Sequence, residues 1–322
     1  MDYVLGIDAG GSKYLVKAAT LEGKVIGEYI TDSSRLYDDE SKYMRQYVPE
    51  IVYEALEALG LDSDNCKYLV CGSSGVDSPQ EQLEFDEAYA KIGLPCPTLV
   101  VNDTEIALYA ACGGKGVLVI AGTGSIAAGK NSKGESTRTG GWGVDINSDQ
   151  GSGRDITLRA MLYVSYYLDG IIELEESELV KMIVDEFNVD ANWLSNFSGD
   201  FRSYPEVVKK VPIMVDRAYE MGDPFAEEIM HRTIGALSWL GTATADKLKL
   251  AEEESFKMSL WGSVGLKSPH IYPNVKAVWE KKYPNVEVVY PSCGAADGAV
   301  KMALDNLHEG IDHSDKKYKE ER

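Results

Sequence analysis

At the start of the chain, short apolar runs are separated by turns that contain glycine. Tyr3-Val4-Leu5-Gly6-Ile7 reads as a buried strand, Lys13 to Thr20 as a second, and Val25 to Ile30 as a third after the turn Leu21-Glu22-Gly23-Lys24. Two Gly turns make this a three-strand meander. From Ser41 to Leu59 the period changes to helical, with apolar residues at Met44, Val48, Ile51, Val52, Ala55, Leu56 and Leu59. Pro49 either kinks that helix or marks its true start. A buried strand at Tyr68-Leu69-Val70-Cys71 ends in Gly72-Ser73-Ser74-Gly75. Helix follows near Glu81 to Ile92, strand at Thr98 to Val101, and helix from Thr104 to Cys112. The order to this point is βββ-α-β-α-β-α.

The opening pattern then recurs. Gly116 to Ala121 is a strand, Gly122-Thr123-Gly124-Ser125 a Gly turn, Ile126 to Lys130 strand-like, and Asn131-Ser132-Lys133-Gly134 a second turn. Gly11 and Gly23 are twelve residues apart, as are Gly122 and Gly134. Two such units at the heads of two halves suggest a duplicated fold. Helical spacing marks Ile156 to Leu168, Glu175 to Phe187, Pro205 to Met221 and Pro224 to Leu250. Strand Lys257 to Leu260 leads into Trp261-Gly262-Ser263-Val264-Gly265; helix Asn274 to Lys282, strand Val286 to Val289 and helix Gly294 to Leu307 complete the pattern. Strands alternating with helices mean an α/β fold with layered sheets.

Composition narrows the class. The chain has 322 residues, 44% of them hydrophobic, a length that suits two domains better than one. Its 32 Lys and Arg face 52 Asp and Glu, a net charge of −20. That excess argues against nucleic acid and anionic membrane surfaces as partners. No apolar run approaches the ~20 residues that span a bilayer, and Met1-Asp2-Tyr3 starts no signal peptide. Five scattered cysteines without a C-x-x-C pair read as reduced thiols of a cytoplasmic protein. Four histidines without H-E-x-x-H make a zinc site a poor expectation.

Candidate chemistry sits in the turns. The turn after the first strand, Asp8-Ala9-Gly10-Gly11-Ser12-Lys13, offers backbone N–H groups to phosphate oxygens, a hydroxyl, a charge and a carboxylate able to hold Mg²⁺ through water; a tight hairpin whose Asp bonds its own turn is the structural alternative. Gly122-Thr123-Gly124-Ser125-Ile126-Ala127 fits G-x-G-x-x-A, but the turn at Asn131 leaves no room for the helix a dinucleotide fingerprint needs. No P-loop and no nucleophile elbow occurs. Asn102 reads as an N-cap, with Asp103 in the first turn of its helix; a carboxylate at a strand's C-terminal end is also where a general base sits. The Gly-rich stretch from Gly140 to Gly153 holds Trp142, an apolar face for a sugar ring, and Asp149, an acceptor for sugar hydroxyls, with Arg138 and Arg154 flanking it.

These turns resemble known motifs. Asp8 to Lys13 is similar to the first phosphate motif of the actin-like ATPase and sugar kinase superfamily, and Ile120-Ala121-Gly122-Thr123-Gly124-Ser125 to its second. Cys71 to Asp77 and Pro291 to Ala296 resemble the connecting motifs, and Leu260 to Gly265 occupies the adenosine motif. The run Asn102-Asp103, Ala121 to Ser125, Gly140-Gly141-Trp142-Gly143 and Asp149-Gln150-Gly151-Ser152 looks like N-acetylglucosamine kinases, within the BadF/BadG/BcrA/BcrD-type ATPases. The resemblance spans about residues 3 to 307.

It implies a duplicated RNase H-like fold, two domains around an ATP cleft: residues 1–112 with the last helix, about 293–308, packing back onto them; residues 113–292 with a helical insertion; and a flexible tail at 309–322. It implies ATP and Mg²⁺, with Asp8 assisting the metal through water. Gly10, Gly11, Ser12, Lys13, Thr123 and Gly124 would contact phosphates, and Gly262 and Ser263 would border adenosine. Asp103 would be the catalytic base toward O6 of an amino sugar faced by Ser74, Gly75, Gly141, Trp142 and Asp149. A homodimer is implied as well.

The chain departs from the family pattern at Gln150, where Glu is common, at Ser12 for Thr, and in the loop Thr31-Asp32-Ser33-Ser34-Arg35, which lacks the usual Gly and Asn. N-acetylmuramic acid and glucosamine therefore stand as alternative substrates. An ATP-driven activator of a dehydratase or reductase is a reading of another class, but no cysteines cluster as its iron–sulfur ligands would. A sugar-responsive DNA-binding regulator is opposed by the first strand beginning at Tyr3 and by the charge.

Overall fold

A computed structural model of the chain describes residues 1–10, 13–32, 47–76, 78–143 and 148–311. Gly11, Ser12, the loop positions Ser33 to Arg35, the helical positions before Tyr47, Asp77 and the tail from residue 312 lie outside the described residues. It divides into two units, Met1–Lys115 with Pro291–Arg322, and Gly116–Tyr290.

In the first unit, β1 (Tyr3–Ala9), β2 (Tyr14–Thr20) and β3 (Val25–Thr31) pair antiparallel in sequence order. Helix α1 (Val48–Leu59) crosses to β4 (Cys66–Ser73), which pairs parallel with β1. Pro49 stands in the first turn of α1, where its missing N–H has no helical partner to lose, so it marks the helix start. Helix α2 (Pro79–Ala90) crosses to β5 (Thr98–Asn102), parallel to β4, and α3 (Asp103–Cys112) follows at once. The sheet order is β3-β2-β1-β4-β5. Strand alternation loads both faces: Tyr3, Leu5 and Ile7 join Ile51 and Val52 of α1 and Phe85 of α2 on one side, while Val4, Val70 and Leu99 join Ile106 of α3 on the other.

The second unit repeats the scheme. Strands β6 (Gly116–Ala121), β7 (Ser125–Lys130) and β8 (Ser136–Gly140) form an antiparallel meander. Five helices follow: α4 (Gly153–Leu168), α5 (Glu178–Phe187), α6 (Ala191–Gly199), α7 (Pro205–Glu220) and α8 (Pro224–Lys247). Then β9 (Phe256–Trp261) pairs parallel with β6, α9 (Ser263–Lys267) and α10 (Ile271–Lys282) cross over, and β10 (Val286–Val288) pairs parallel with β9. The order β10-β9-β6-β7-β8 is the first sheet's order again, a three-strand meander extended by two parallel strands. The fold is thus a duplicated α/β architecture of the actin-like ATPase and sugar kinase type.

The chain then returns to the first unit as α11 (Ala295–His308), which adds Ala299, Val300 and Ala303 to the second face of that sheet. A methyl on Gly298 would sit 2.0 Å from the Ile106 carbonyl oxygen and 2.7 Å from the Ala110 nitrogen, so only glycine lets α11 cross α3 this closely. Lys17 of β2 is buried and reaches Asp297 of α11 at 2.8 Å and Glu28 at 2.9 Å. No helix among the described residues is long and apolar enough to cross a membrane.

Three elements exceed the sequence expectation. Strand β8, Ser-Thr-Arg-Thr-Gly, has no apolar alternation and is held by pairing with β7 and by buried Thr139 against the Thr244 hydroxyl. Helix α6 is only nine residues long, fixed by Asp190 capping the Trp193 N–H and by Trp193 stacking on Phe197. Helix α9 is five residues long, one turn of the motif read as Gly262 to Gly265.

Candidate active site

The parallel strands of the first unit end together. Asp8 aligns with Gly72, Ala9 with Ser73, and Ser73 with Asn102, so the C-terminal edge of β1, β4 and β5 gathers the side chains predicted from sequence. Ligands of open parallel sheets bind at this edge. The Gly10 N–H donates to the Lys13 carbonyl at 3.1 Å and closes the turn after β1. The Ser74 N–H donates to the Ala9 carbonyl at 3.3 Å, and the Gly75 N–H to the Ser73 hydroxyl at 3.4 Å. These bonds set Ser74 and Gly75 beside the C-terminal end of β1.

Asp103 is the first residue of α3. Asn102 places it: its Oδ1 accepts from the Thr104 N–H at 3.0 Å as an N-cap, while its Nδ2 donates to the Val76 carbonyl at 3.0 Å. Burial chiefly pushes the Cys71 thiol up, and the charges of Asp8 and Asp103 raise it further. Burial also raises the Asp8 carboxyl above the usual carboxylate range, and the Lys13 ammonium opposes the shift. Among the described residues, no three His, Cys, Asp or Glu side chains converge as a protein-only metal cage.

In the second unit the equivalent turn after β6 is tied to the start of α4. The Gly153 N–H donates to the Gly122 carbonyl at 2.8 Å and the Arg154 N–H to the Thr123 carbonyl at 3.3 Å. Asp149 lies beside this turn, its Oδ2 2.9 Å from where a side chain on Gly124 would begin. Burial raises its pKa; Arg154 and the Gly143 N–H act against that. The backbone carbonyl of Gln150 reaches the turn, accepting from the Ser125 hydroxyl at 2.8 Å. Gly141 packs against Ile126, whereas Trp142 is 67% exposed with the Arg138 guanidinium 5.0 Å over its ring. Arg138 and Arg154 therefore have partners that the sequence does not reveal.

Gly262 brings the segment Trp261 to Gly265 against the end of β6, beside the same turn. Its φ is +94°, and a side chain there would meet the Ala121 carbonyl oxygen at 2.4 Å. Only glycine fits both constraints. Thr123 and Ser263 consequently line one cavity of about 520 Å³ within this unit, a size suited to a nucleoside. Its far wall is α7, through Val208, Pro212 and Asp216, residues absent from the sequence expectation. Pro212 inside α7 is the signal that could have found them: it has no N–H for the Val208 carbonyl four residues earlier.

Over residues 5–303 the sequence matches the family described as BadF/BadG/BcrA/BcrD ATPases. It is similar to the N-acetylmuramic acid/N-acetylglucosamine kinase of Clostridium acetobutylicum, 28% identical over 94% of this chain and 98% of that one. It is also similar to the N-acetyl-D-glucosamine kinase of Dictyostelium discoideum, 27% identical over 94% and 98%. A solved Chromobacterium violaceum protein, described as a candidate N-acetylglucosamine kinase, shares the fold with a TM-score of 0.71 at 23% identity, over 94% of this chain and 99% of that one.

Proposed function

This chain belongs to the BadF/BadG/BcrA/BcrD ATPase family, and from that premise we propose that it transfers the γ-phosphoryl group of ATP to a hydroxyl of an amino sugar. The observation that carries the reading is Asp103, capped into place at the head of α3 on the strand edge that also holds Asp8. A carboxylate so placed accepts the proton of the attacking hydroxyl as the new O–P bond forms and the β,γ-bridging bond breaks, releasing ADP. Kinase relatives at 27–28% identity support the same reaction class.

The first-choice substrate is N-acetylglucosamine, phosphorylated at O6; N-acetylmuramic acid and glucosamine remain alternatives. Ser74, Gly75 and Asp149 supply polar contacts to the sugar and Trp142 an apolar face. Gly10, Lys13, Thr123 and Gly124 hold phosphates, and Gly262 and Ser263 border the adenosine. Gly11 and Ser12 belong to the first turn by sequence. The residues suit Mg²⁺: Asp8 is a hard, partly buried oxygen donor, and a few carboxylates plus phosphates and water are this ion's usual ligands. When bound, the ion neutralises charge on the transferring oxygens.

A coupled ADP-release screen over N-acetylglucosamine, N-acetylmuramic acid, glucosamine, N-acetylmannosamine and glucose tests the proposal. Sugar-dependent release with one or more of the first three is expected. ATP hydrolysis indifferent to every sugar, with iron in the purified protein, would favour the ATP-driven activator instead.

A further inference from the structure

The cavity of the second unit has a direction. Val208, Pro212 and Asp216 are spaced i, i+4 and i+8 on α7, so they form one face of the helix, and eight residues at ~1.5 Å each put Asp216 about 12 Å along the axis from Val208. The Val208 end adjoins the phosphate turn: its carbonyl oxygen is 3.4 Å from where a side chain on Gly153 would begin, and Gly153 is bonded to Gly122. Asp216 therefore lies at the end of the cavity remote from Thr123. There it is fixed by the Ser268 hydroxyl, which donates to its Oδ1 at 2.6 Å. Ser268 is fixed in turn, accepting from the Ile271 N–H at 3.2 Å and the His270 N–H at 3.3 Å at the start of α10. Such mutual bonding pre-organises a half-buried acceptor, and two walls of the cavity, α7 and the α9–α10 junction, meet at it.

The end of ATP farthest from its phosphates is the adenine ring. Its outer edge carries a 6-amino donor, where guanine carries a 6-oxo acceptor. We propose that Asp216 reads the nucleobase, accepting a hydrogen bond from the adenine 6-amino group and excluding guanine by juxtaposing two acceptors. The residue thus sets nucleotide specificity. The inference rests on the reading of the second unit as the nucleotide-binding half, and it does not depend on which sugar is the acceptor. The competing structural account is that Asp216 only pins α10 to α7 through Ser268.

Nucleotide binding measured without sugar separates these accounts. In the unmodified protein, ATP should bind at least about tenfold more tightly than GTP and than purine riboside triphosphate, which lacks the 6-amino group, as expected for a hydrogen bond to a charged group. Asp216→Asn keeps the size, can still accept from Ser268, and can turn a donor toward a 6-oxo group. It should lower the ATP-to-GTP affinity ratio about tenfold or more. Equal weakening of both nucleotides, or no change in the ratio, would reduce Asp216 to a structural tie. Equal affinity of the unmodified protein for all three nucleotides would overturn the proposal whatever the variant does. A protein that discriminates among nucleotides yet phosphorylates no sugar would sink the kinase reading and leave this one standing.

Discussion

Of the two carboxylates on one strand edge, Asp8 bears on stability as well as on turnover. Asp8 is raised by burial, so its folded-state pKa exceeds the unfolded value. Such a group favours folding below the ordinary Asp range and costs stability as pH rises through its folded pKa. Asp8→Asn should therefore melt higher than the parent near neutral pH, with the gain vanishing in acid, while turnover collapses. A variant that melts lower at neutral pH would show that Asp8 is held by favourable contacts instead. For Asp103→Asn the expectation is an unchanged circular dichroism spectrum and a kcat reduced by about 10²–10⁴, the range for a general base. Turnover within a few-fold of the parent would remove the residue from that role. Both carboxylates were visible in sequence because each ends an apolar strand next to a turn or a capped helix. Asp216 was not, since along α7 it reads as one more polar position opposite a core stripe, and only folding sets it across a cavity from Ser263.

At the scale of elements, regular ones were legible and irregular ones were not. The meander β1 to β3 and the long helices α4 and α8 announce themselves by period, whereas β8 is polar at four of its five positions and owes its existence to β7. Short helices such as α6 depend on a cap and a ring stack rather than on a pattern long enough to read. The resemblance implies that the last helix packs back onto the first domain, but its close crossing of α3 is not readable from the sequence, and it leaves least room for change. Gly298→Ala would press a methyl into backbone atoms of Ile106 and Ala110, which cannot rotate aside. We expect a loss of about 1–3 kcal/mol, the usual cost of overpacking, read as a lower urea midpoint at an unchanged m-value. An unshifted midpoint would mean that the two helices can part without penalty.

Across the whole molecule, a net charge of −20 confronts an anionic nucleotide. Long-range repulsion acts on encounter and is screened beyond about 8–10 Å at ordinary salt, while the proposed phosphate contacts would act at short range. The association rate of ATP should thus rise with sodium chloride concentration in stopped-flow measurements; a fall would reveal a local cationic funnel stronger than the overall field. The placement of α11 bears on a different matter, the order of synthesis. The face formed by Val4, Val70, Leu99 and Ile106 is completed only by a helix encoded after the entire second unit. On the ribosome the second unit, continuous in sequence, can close as soon as it emerges, but the first must wait with an open apolar flank until α11 arrives. Lys17 can pair with Glu28 early, but its second partner, Asp297, lies 280 residues downstream. The earliest-made half is thus the last to be completed, and a chain stalled before α11 should leave that flank uncovered.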